Sequence, residues 1–283
     1  MATFYNQATL SYNGNTTTSN ITTGELVEVL SATKTAVQTE YQQDDTLTYV
    51  VNILNSGNTT MTGVTISDNL GAYTLNTLTL VPMDYVVGTV RYYVGGVLQP
   101  TPTVTAGPPL TISGLSVPAK GNVTVIYQAK TNDYAPLAQE SSITNTATIN
   151  ANNIANPITA SATVNAYSEP VLRISKSLTP TTVSEYGQLT YTFIVQNYGN
   201  TAADEADALI VSDRFDPILN PITVAFNGTA WTEGTEYTYD ATTGQFVSTA
   251  GITVPAASYT QDAATGAISI VPGSATLTIT GTV

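Results

Sequence analysis

Apolar and polar residues alternate along much of the chain. In residues 47–53 Leu, Tyr, Val and Ile occupy every second position, and residues 189–195 repeat the pattern with Leu, Tyr, Phe and Val. A period of two is that of a half-buried β-strand. No segment keeps a helical period, and turn pairs such as Gly95-Gly96 and Asn227-Gly228 separate the alternating runs. The pattern predicts an all-β fold of antiparallel Ig-like β-sandwiches.

An internal repeat organises the chain. Residues 34–70 match residues 176–215 through a lysine, an L-T-Y run, an N-x-G run and an S-D pair, and we match Val117-Pro118 with Val271-Pro272 farther on. The repeat predicts two tandem sandwiches. Their predicted bounds are residues 30–149 and 172–283, with an interdomain connection at residues 150–171.

The two repeats end differently. The first continues beyond residues 123–129 to a final alternating run, ITNTATI, at residues 143–149. The second stops at Val283, in the strand equivalent to residues 123–129. We therefore predict that the second sandwich lacks its last strand. Such a sandwich exposes a strand edge and an apolar groove, and both features promote association.

A copy of the missing strand stands at the N-terminus. The run FYNQATL, residues 4–10, aligns with ITNTATI, and Asn6 falls on Asn145. We predict that residues 1–12 form a donor strand and residues 13–29 a connecting arm. The donor side chains that alternate toward one face are Phe4, Asn6, Ala8 and Leu10.

The donor strand has two possible destinations. To fill the groove of its own chain, residues 11–29 would have to run back past the whole first sandwich. Filling the groove of a preceding subunit reproduces the connection between the two sandwiches, and this predicts a head-to-tail fibre. The alternative is a tolerated open edge with a disordered arm, which gives the alternation of residues 4–10 no purpose.

Six polar residues fall at positions where the alternation points side chains toward the core. Each sandwich receives one amine, one acid and one amide in this way. Burial of an amine and a carboxyl group is costly unless the two are paired or chemically altered. The two sets are Lys34, Asp68 and Asn145, and Lys176, Asp213 and Asn6.

Each set contains the groups of a spontaneous isopeptide bond. Burial lowers the pKa of an amine and raises that of a carboxyl group, so the pair can exist as a neutral amine and a protonated acid. The amine then attacks the asparagine carboxamide, the acid (Asp68 or Asp213) polarises the amide and transfers the proton, and ammonia leaves. The predicted bonds join Lys34 to Asn145 within a chain and Lys176 to Asn6 between chains.

The same residues also allow a site without an isopeptide bond, or a site with another acid. A buried ion pair with the asparagine hydrogen-bonded nearby would satisfy the same groups without a covalent bond. Glu40 and Glu185 are also matched between the repeats and are reserve acids. Because each bond would form once, no enzyme with turnover is predicted.

The composition excludes several functions. Seven Lys and Arg residues against 20 Asp and Glu residues give a net charge of −13, which repels nucleic acid and anionic lipid surfaces. Without Cys or His the chain has no disulfide, thiolate nucleophile, imidazole base or zinc site. We expect no cofactor and no metal. The acidic loop at residues 204–207 is a weak calcium candidate, and we interpret it as a solvated loop.

The N-terminal residues resemble no export signal. MATFYNQATL has neither a basic region nor an apolar run, and no segment approaches the roughly 20 apolar residues that span a bilayer. We expect synthesis in the cytoplasm without a signal peptide, and no insertion into a membrane.

The ordered motifs K, L-T-Y, N-x-G, S-D, V-P and N-T-A-T resemble the Domain of Unknown Function 11 repeat, an Ig-like module of bacterial and archaeal surface proteins. The resemblance covers nearly the whole chain. The lysine, aspartate and asparagine pattern is similar to the self-crosslinking domains of Gram-positive pilins and collagen-binding adhesins. That likeness implies a Lys34–Asn145 bond with Asp68 as the acid.

A second resemblance concerns location. A two-repeat subunit without a signal peptide or a sortase-type motif is similar to the structural subunits of clostridial spore appendages, which implies a fibre at a spore or cell surface. The leading prediction is therefore a self-assembling extracellular fibre whose partner is a second copy of the chain. An anchoring protein is unknown. The runner-up is a monomeric adhesin-like or carbohydrate-binding module.

Overall fold

The computed structural model describes residues 2–26, 29–152, 154, 156–249 and 251–283. Within those ranges the chain is almost entirely β-strand, and the one helical element is a 3-10 turn, Glu205–Asp207. No helix of the described ranges is long and apolar enough to cross a membrane. The strands form an N-terminal hairpin and two sandwiches with separate cores. This confirms the predicted all-β fold of tandem Ig-like antiparallel sandwiches.

The predicted donor strand and connecting arm fold together into one antiparallel hairpin. Asn13 and Gly14 form its turn with φ angles of 48° and 81°, the geometry of a two-residue type I′ turn. Every side chain from residue 3 to residue 23 is exposed, so this part of the hairpin packs on neither sandwich. Of the predicted segments, Met1, Val27 and Glu28 lie outside the described residues. The strands are β1 (Ala2–Asn6), β2 (Thr9–Tyr12), β3 (Asn15–Thr18) and β4 (Thr22–Leu26).

The strands of the first sandwich are β5 (Leu30–Ala36), β6 (Glu40–Tyr41), β7 (Thr46–Asn55), β8 (Met61–Asp68), β9 (Tyr73–Leu75), β10 (Leu78–Leu80), β11 (Met83–Tyr85), β12 (Arg91–Val94), β13 (Val97–Leu98), β14 (Thr103–Thr105), β15 (Leu110–Val117), β16 (Asn122–Thr131), β17 (Ser142–Asn150) and β18 (Ile158–Ala166). One sheet has the order β13-β12-β16-β7-β5, with β11 also on β16. The facing sheet has the order β14-β15-β8-β17-β18-β6. The alternating apolar residues of β7 are fully buried between them, as the period of two requires.

The first sandwich extends beyond its predicted end. Residues 150–171 were predicted as a connection, but strand β18 lies within them and pairs antiparallel with β17 from Ile149↔Ile158 to Ser142↔Asn165. The physical reason is visible in the strand, where Ala160, Ala162 and Val164 alternate with polar residues and are buried. Small side chains make this alternation inconspicuous in the sequence. Of this segment, Asn153 and Ala155 lie outside the described residues.

The strands of the second sandwich are β19 (Leu172–Thr179), β20 (Gln188–Asn197), β21 (Ser212–Arg214), β22 (Ile222–Phe226), β23 (Thr229–Trp231), β24 (Tyr237–Asp240), β25 (Gln245–Ser248), β26 (Ser258–Gln261), β27 (Ile268–Val271) and β28 (Gly273–Thr282). A sheet with the order β19-β20-β28-β22-β23 faces a smaller sheet with the order β21-β25-β24. Pairing assigns the equivalences, since β20 and β28 pair as β7 and β16 do. Strands β21, β25 and β24 likewise correspond to β8, β15 and β14.

One predicted match between the repeats is corrected by the pairing. Val117 ends β15 and pairs with Met61, and its equivalent is Val254, which forms a bridge with Ala203. Val271 instead ends β27, in a hairpin that the first sandwich lacks at this place. The V-P dipeptide occurs twice in the second repeat, at residues 254–255 and 271–272, so sequence matching selected the wrong copy.

The added hairpin β26–β27 contacts the first sandwich. The amide of Ile268 donates to the carbonyl of Asp133 at 3.0 Å. The Gln261 side chain donates to the hydroxyl of Tyr73 at 2.6 Å. These contacts join the two sandwiches through hydrogen bonds as well as through the chain.

Residues 172–249 and 251–283 contain no strands equivalent to β17 and β18 of the first sandwich. In the first sandwich, one edge of β8 pairs with β15 and the other with β17, which continues to β18. In residues 172–249 and 251–283, β21 pairs with β25 alone. The edge of β21 that would receive a strand is therefore open, and so is the core beside it.

Candidate cross-linking site

Lys34 and Asp68 meet in the core of the first sandwich. Strand β5 carries Lys34 and strand β8 carries Asp68, and the two strands belong to facing sheets. The Lys34 Nζ donates to Asp68 Oδ2 at 2.6 Å, and neither side chain has any exposed surface. The alternation that fills the core with apolar side chains therefore also places this charged pair inside it.

Tyr127 links the acid to the predicted amide. Its hydroxyl donates to Asp68 Oδ2 at 2.5 Å and accepts a hydrogen bond from Asn145 Nδ2 at 3.3 Å. Asn145 lies on β17, where Ala147, two residues farther on, is the cross-strand partner of Asp68. The amine, acid and amide of the predicted first set thus belong to one buried hydrogen-bond network.

The acid and the amide of this network differ in how well their hydrogen-bonding groups are satisfied. Asp68 accepts hydrogen bonds from Lys34, Tyr127 and the amide of Leu70, so both of its oxygens have partners. The Asn145 Oδ1 is buried and has no hydrogen-bond partner within the described part of the chain. A buried acceptor without a partner costs about 1–3 kcal/mol. The network therefore holds the amide at an energetic cost instead of satisfying it.

Burial changes the state of the amine. Desolvation lowers the pKa of Lys34 from its ordinary 10.5 to about 8, and the attraction of Asp68 opposes part of this change. The Tyr49 ring lies 4.8 Å from the Lys34 Nζ and adds to the apolar surroundings. Burial likewise raises the pKa of Tyr127 well above its ordinary value, so this hydroxyl keeps its proton. A neutral amine, the nucleophilic form, is accessible near neutral pH.

The predicted second set is only partly assembled in one chain. The Lys176 Nζ donates to Asp213 Oδ2, as in the first sandwich. Its surroundings differ, because the side chains of Lys176 and Asp213 are 39% and 20% exposed. The Tyr191 ring lies 4.3 Å from the Lys176 Nζ and corresponds to Tyr49.

The predicted donor residues lie away from Lys176. Asn6 is exposed on the hairpin, where its carbonyl accepts a hydrogen bond from Thr22 Oγ1, and the described contacts do not join it to Lys176 or Asp213. Phe4 and Leu10 are 58% and 61% exposed. Ala8 is exposed as well. Within a single chain, the structure therefore leaves the amide of the second set apart from its amine and acid.

The reserve acids and the acidic loop have other environments. Glu40 and Glu185 are exposed, so neither is the acid of a buried site. Asp204 caps the 3-10 turn by accepting from the amide of Ala206, and Asp207 accepts from the amide of Asp204. Within the described residues, no group of three His, Cys, Asp or Glu side chains is arranged to hold a metal ion.

Two features of the site were missed at the level of the sequence. Tyr127 alternates with Val125 and Ala129 on β16, and nothing local in the sequence distinguishes a buried tyrosine with a polar partner from one without. The turn at Asn13-Gly14 was overlooked within a segment interpreted as a connecting arm. Asn-Gly between alternating runs is a strong hairpin signal, so this feature was available in the sequence.

No family model and no curated protein matches the chain. The chain is similar in structure to the major pilin subunit BcpA of Bacillus cereus, at 12% identity and a TM-score of 0.37, over 96% of this chain and 73% of that one. It is similar to the pilus backbone RrgB of Streptococcus pneumoniae at 11% identity and a TM-score of 0.35, over 86% of this chain and 55% of that one.

A glycoside hydrolase of family 123 from Clostridium perfringens also matches. Its identity is 9% and its TM-score 0.31, over 49% of this chain and 27% of the hydrolase. The chain thus spans about half the length of the RrgB structure and about a quarter of the hydrolase.

Proposed function

We propose that this protein is the structural subunit of a self-assembling extracellular fibre. The N-terminal strand of each chain completes the second sandwich of a neighbouring chain. Because donor and acceptor are different parts of the same chain, the assembly is head-to-tail and open-ended. Isopeptide bonds from Lys34 to Asn145 within a chain and from Lys176 to Asn6 between chains lock the fibre. A spore or cell surface is its proposed location.

One difference between the sandwiches carries this proposal. The Lys34–Asp68 pair has no exposed surface, whereas Lys176 and Asp213 are 39% and 20% exposed. Strands β17 and β18 border the strands that carry the first pair, and within the described residues no strand takes their place at the open edge of β21. The N-terminal segment carries the sequence that matches the missing strand. Each chain thus carries both a donor segment and an open acceptor edge, and within one chain the donor does not fill the acceptor.

Exposed apolar side chains on both partners support the same pairing. Leu30 is 6% exposed in the first sandwich, whereas its equivalent Leu172 is 37% exposed and the nearby Ile174 is 59% exposed. On the donor, Phe4 and Leu10 are exposed to a similar degree. Burial of each such side chain contributes roughly 1.5–3 kcal/mol, so the junction has a hydrophobic driving force.

The covalent step uses the amine, acid and amide that the hydrogen bonds of the first sandwich join in one network. The neutral lysine Nζ attacks the asparagine Cγ, and negative charge develops on Oδ1, the atom that has no partner at Asn145. The Nζ–Cγ bond forms and the Cγ–Nδ2 bond breaks, while one proton passes from the amine through the aspartic acid to the departing nitrogen. Ammonia is the only product released. Fixed proximity of the three groups replaces an external catalyst.

Electron microscopy of matched variants tests strand donation. Phe4 alternates toward the proposed inward face and Tyr5 toward the opposite face, so Phe4→Arg and Tyr5→Arg add the same charge to the two faces. We expect filaments from the wild-type and Tyr5→Arg chains and none from Phe4→Arg. If the wild-type chain stays monomeric, or if Phe4→Arg forms the same filaments, strand donation is wrong.

A further inference from the structure

We infer that the donor is a two-stranded hairpin, residues 2–26, and that its return strand β4 covers the Lys176 strand of the neighbouring subunit. This inference rests on the proposed strand donation and names the part of the partner that closes the second site. A single donated strand would fill the edge of β21 but would leave Lys176 open to solvent.

The hairpin has the same two-stranded antiparallel form as the β17–β18 pair, which has no counterpart in the second sandwich. In the first sandwich Asn145 lies opposite Ala162, in the antiparallel pair β17–β18. In the N-terminal hairpin Asn6 lies opposite Thr22, in the antiparallel pair β1–β4. Each of the two aligned asparagines therefore has a residue of an antiparallel return strand directly opposite it. The likeness that the sequence shows for one strand extends in the structure to two strands.

Strand β18 shows what the return strand does in the first sandwich. It lies on the far side of β17 from β8, and it is the neighbour of β5, the strand that carries Lys34. Its inward side chains, from Ala160 to Val164, are buried against the core. Lys34 is fully enclosed because β18, more than β17, closes the side of the sandwich along β5.

The equivalent side of the second sandwich is open. Strand β19 carries Lys176, and seven of its eight residues are exposed, whereas β5 buries Leu30 and Lys34. A strand placed on β21 occupies the position of β17, which is not the principal neighbour of β5. Enclosure of Lys176 therefore needs a second strand in the position of β18.

The hairpin has the surface that this position requires. Thr22 and Gly24 share a face with Asn6 and Phe4, because directly paired residues lie on the same side of a sheet. The Phe4 ring lies over Gly24, where an added Cβ would stand 2.3 Å from the ring. The return strand thus presents small residues beside the asparagine, as β18 does with Ala160 and Ala162.

The free hairpin is also poised to dock. An isolated two-stranded hairpin is marginally stable in water, and more strands or a packed face are needed for stability. Both faces of this hairpin are exposed along residues 3–23. Insertion beside β21 would supply a third strand and a packed face at once.

Single-cysteine labelling of assembled fibres tests the inference, since the chain has no native cysteine. Three full-length variants are compared, Phe4→Cys, Thr22→Cys and Thr23→Cys, each labelled with a maleimide in fibres and in denaturant. For the hairpin donor we expect Phe4→Cys and Thr22→Cys to react at least tenfold more slowly in fibres. Thr23→Cys, on the outer face, should react at nearly the same rate in both states.

The three cysteine variants distinguish failure of the hairpin inference from failure of strand donation itself. If Phe4→Cys is protected but Thr22→Cys reacts as fast as Thr23→Cys, a single strand is donated and the hairpin inference is wrong. If Phe4→Cys is itself reactive in fibres, strand donation fails. Should a cysteine variant not assemble, amide hydrogen exchange of wild-type fibres gives the same answer. Slowed exchange on assembly in residues 19–26 as well as 2–8 supports the hairpin, and slowed exchange in residues 2–8 alone contradicts it.

Discussion

Tyr127 and Ile279 occupy equivalent positions in the two sandwiches. Tyr127 lies directly opposite Tyr49 in the β16–β7 pair, and Ile279 lies directly opposite Tyr191 in the β28–β20 pair. Tyr49 and Tyr191 are the tyrosines of the repeated L-T-Y motif. The first site therefore has a hydroxyl group between its acid and its amide, and the second site has an aliphatic side chain there.

This difference predicts a specific role for Tyr127 in positioning the amide. In Tyr127→Phe the hydrogen bonds to Asp68 and from Asn145 are lost. We expect isopeptide formation in the first sandwich to slow about tenfold, the effect of losing roughly 1.4 kcal/mol of hydrogen bonding. The rate is measured by cell-free synthesis with acid-quenched samples and intact-mass spectrometry.

Tyr92→Phe is the matched control for that variant. The Tyr92 hydroxyl donates to the carbonyl of Ser116 and accepts from the Ser116 amide, so its loss also removes two hydrogen bonds but leaves the network of Asp68 intact. Equal rates for the two variants would mean that Tyr127 acts only through the stability of the fold.

The Lys34–Asn145 bond predicts a mass change. Every folded wild-type chain should be lighter by one ammonia, because the bond joins two residues of the same chain. Lys34→Ala, Asp68→Ala and Asn145→Ala should each restore the full mass. An unmodified mass in the folded wild-type chain would leave the network as an ion pair with a neighbouring amide.

The lowered pKa of Lys34 predicts a pH dependence of stability in a chain that cannot form the bond. In Asn145→Ala, folded Lys34 loses its proton near pH 8, whereas the unfolded chain keeps it to about 10.5. Between these values the unfolded state binds more protons, so the free energy of unfolding should rise with pH. The slope should approach about 1.4 kcal/mol per pH unit.

Denaturant titrations of Asn145→Ala from pH 7 to pH 10 measure this slope. Lys34→Met with Asn145→Ala removes the titrating amine and serves as the reference. A slope of the same size in the reference would assign the pH dependence to other groups.

Asn6→Ala separates strand donation from the covalent bond. The apolar donor residues Phe4 and Leu10 remain, so filaments should still form. They should dissociate in hot detergent to the 29.6 kDa chain, whereas wild-type fibres leave a ladder. Tandem mass spectrometry of wild-type fibres should find a branched peptide that joins Asn6 to Lys176. Wild-type fibres that dissociate cleanly in the same detergent would contradict the bond between chains but not the donated strand.

The sequence alone predicted the features that depend on local periodicity and on duplication. A period of two decides which face of a strand a side chain occupies, so the inward positions of Lys34 and Asp68 could be read without knowing which strands are neighbours. Aligning the repeats likewise led to the prediction that the second sandwich lacks a strand and that residues 4–10 resemble it. None of this requires knowledge of distances across the core.

The tertiary structure decided which side chains meet and how many strands are missing. The contact of Tyr127 with Asp68 joins two facing sheets, and alternation gives no information about the partner across a core. Strand β18 escaped prediction because its inward residues are mostly alanine, whose small apolar surface gives a weak pattern, yet its pairing encloses Lys34. The pairing of β1 with β4 likewise depends on a turn at Asn13-Gly14 and on register, and it changes the candidate donor from one strand to two. Periodicity is a property of one strand, whereas enclosure of a charged pair depends on every strand that packs around it.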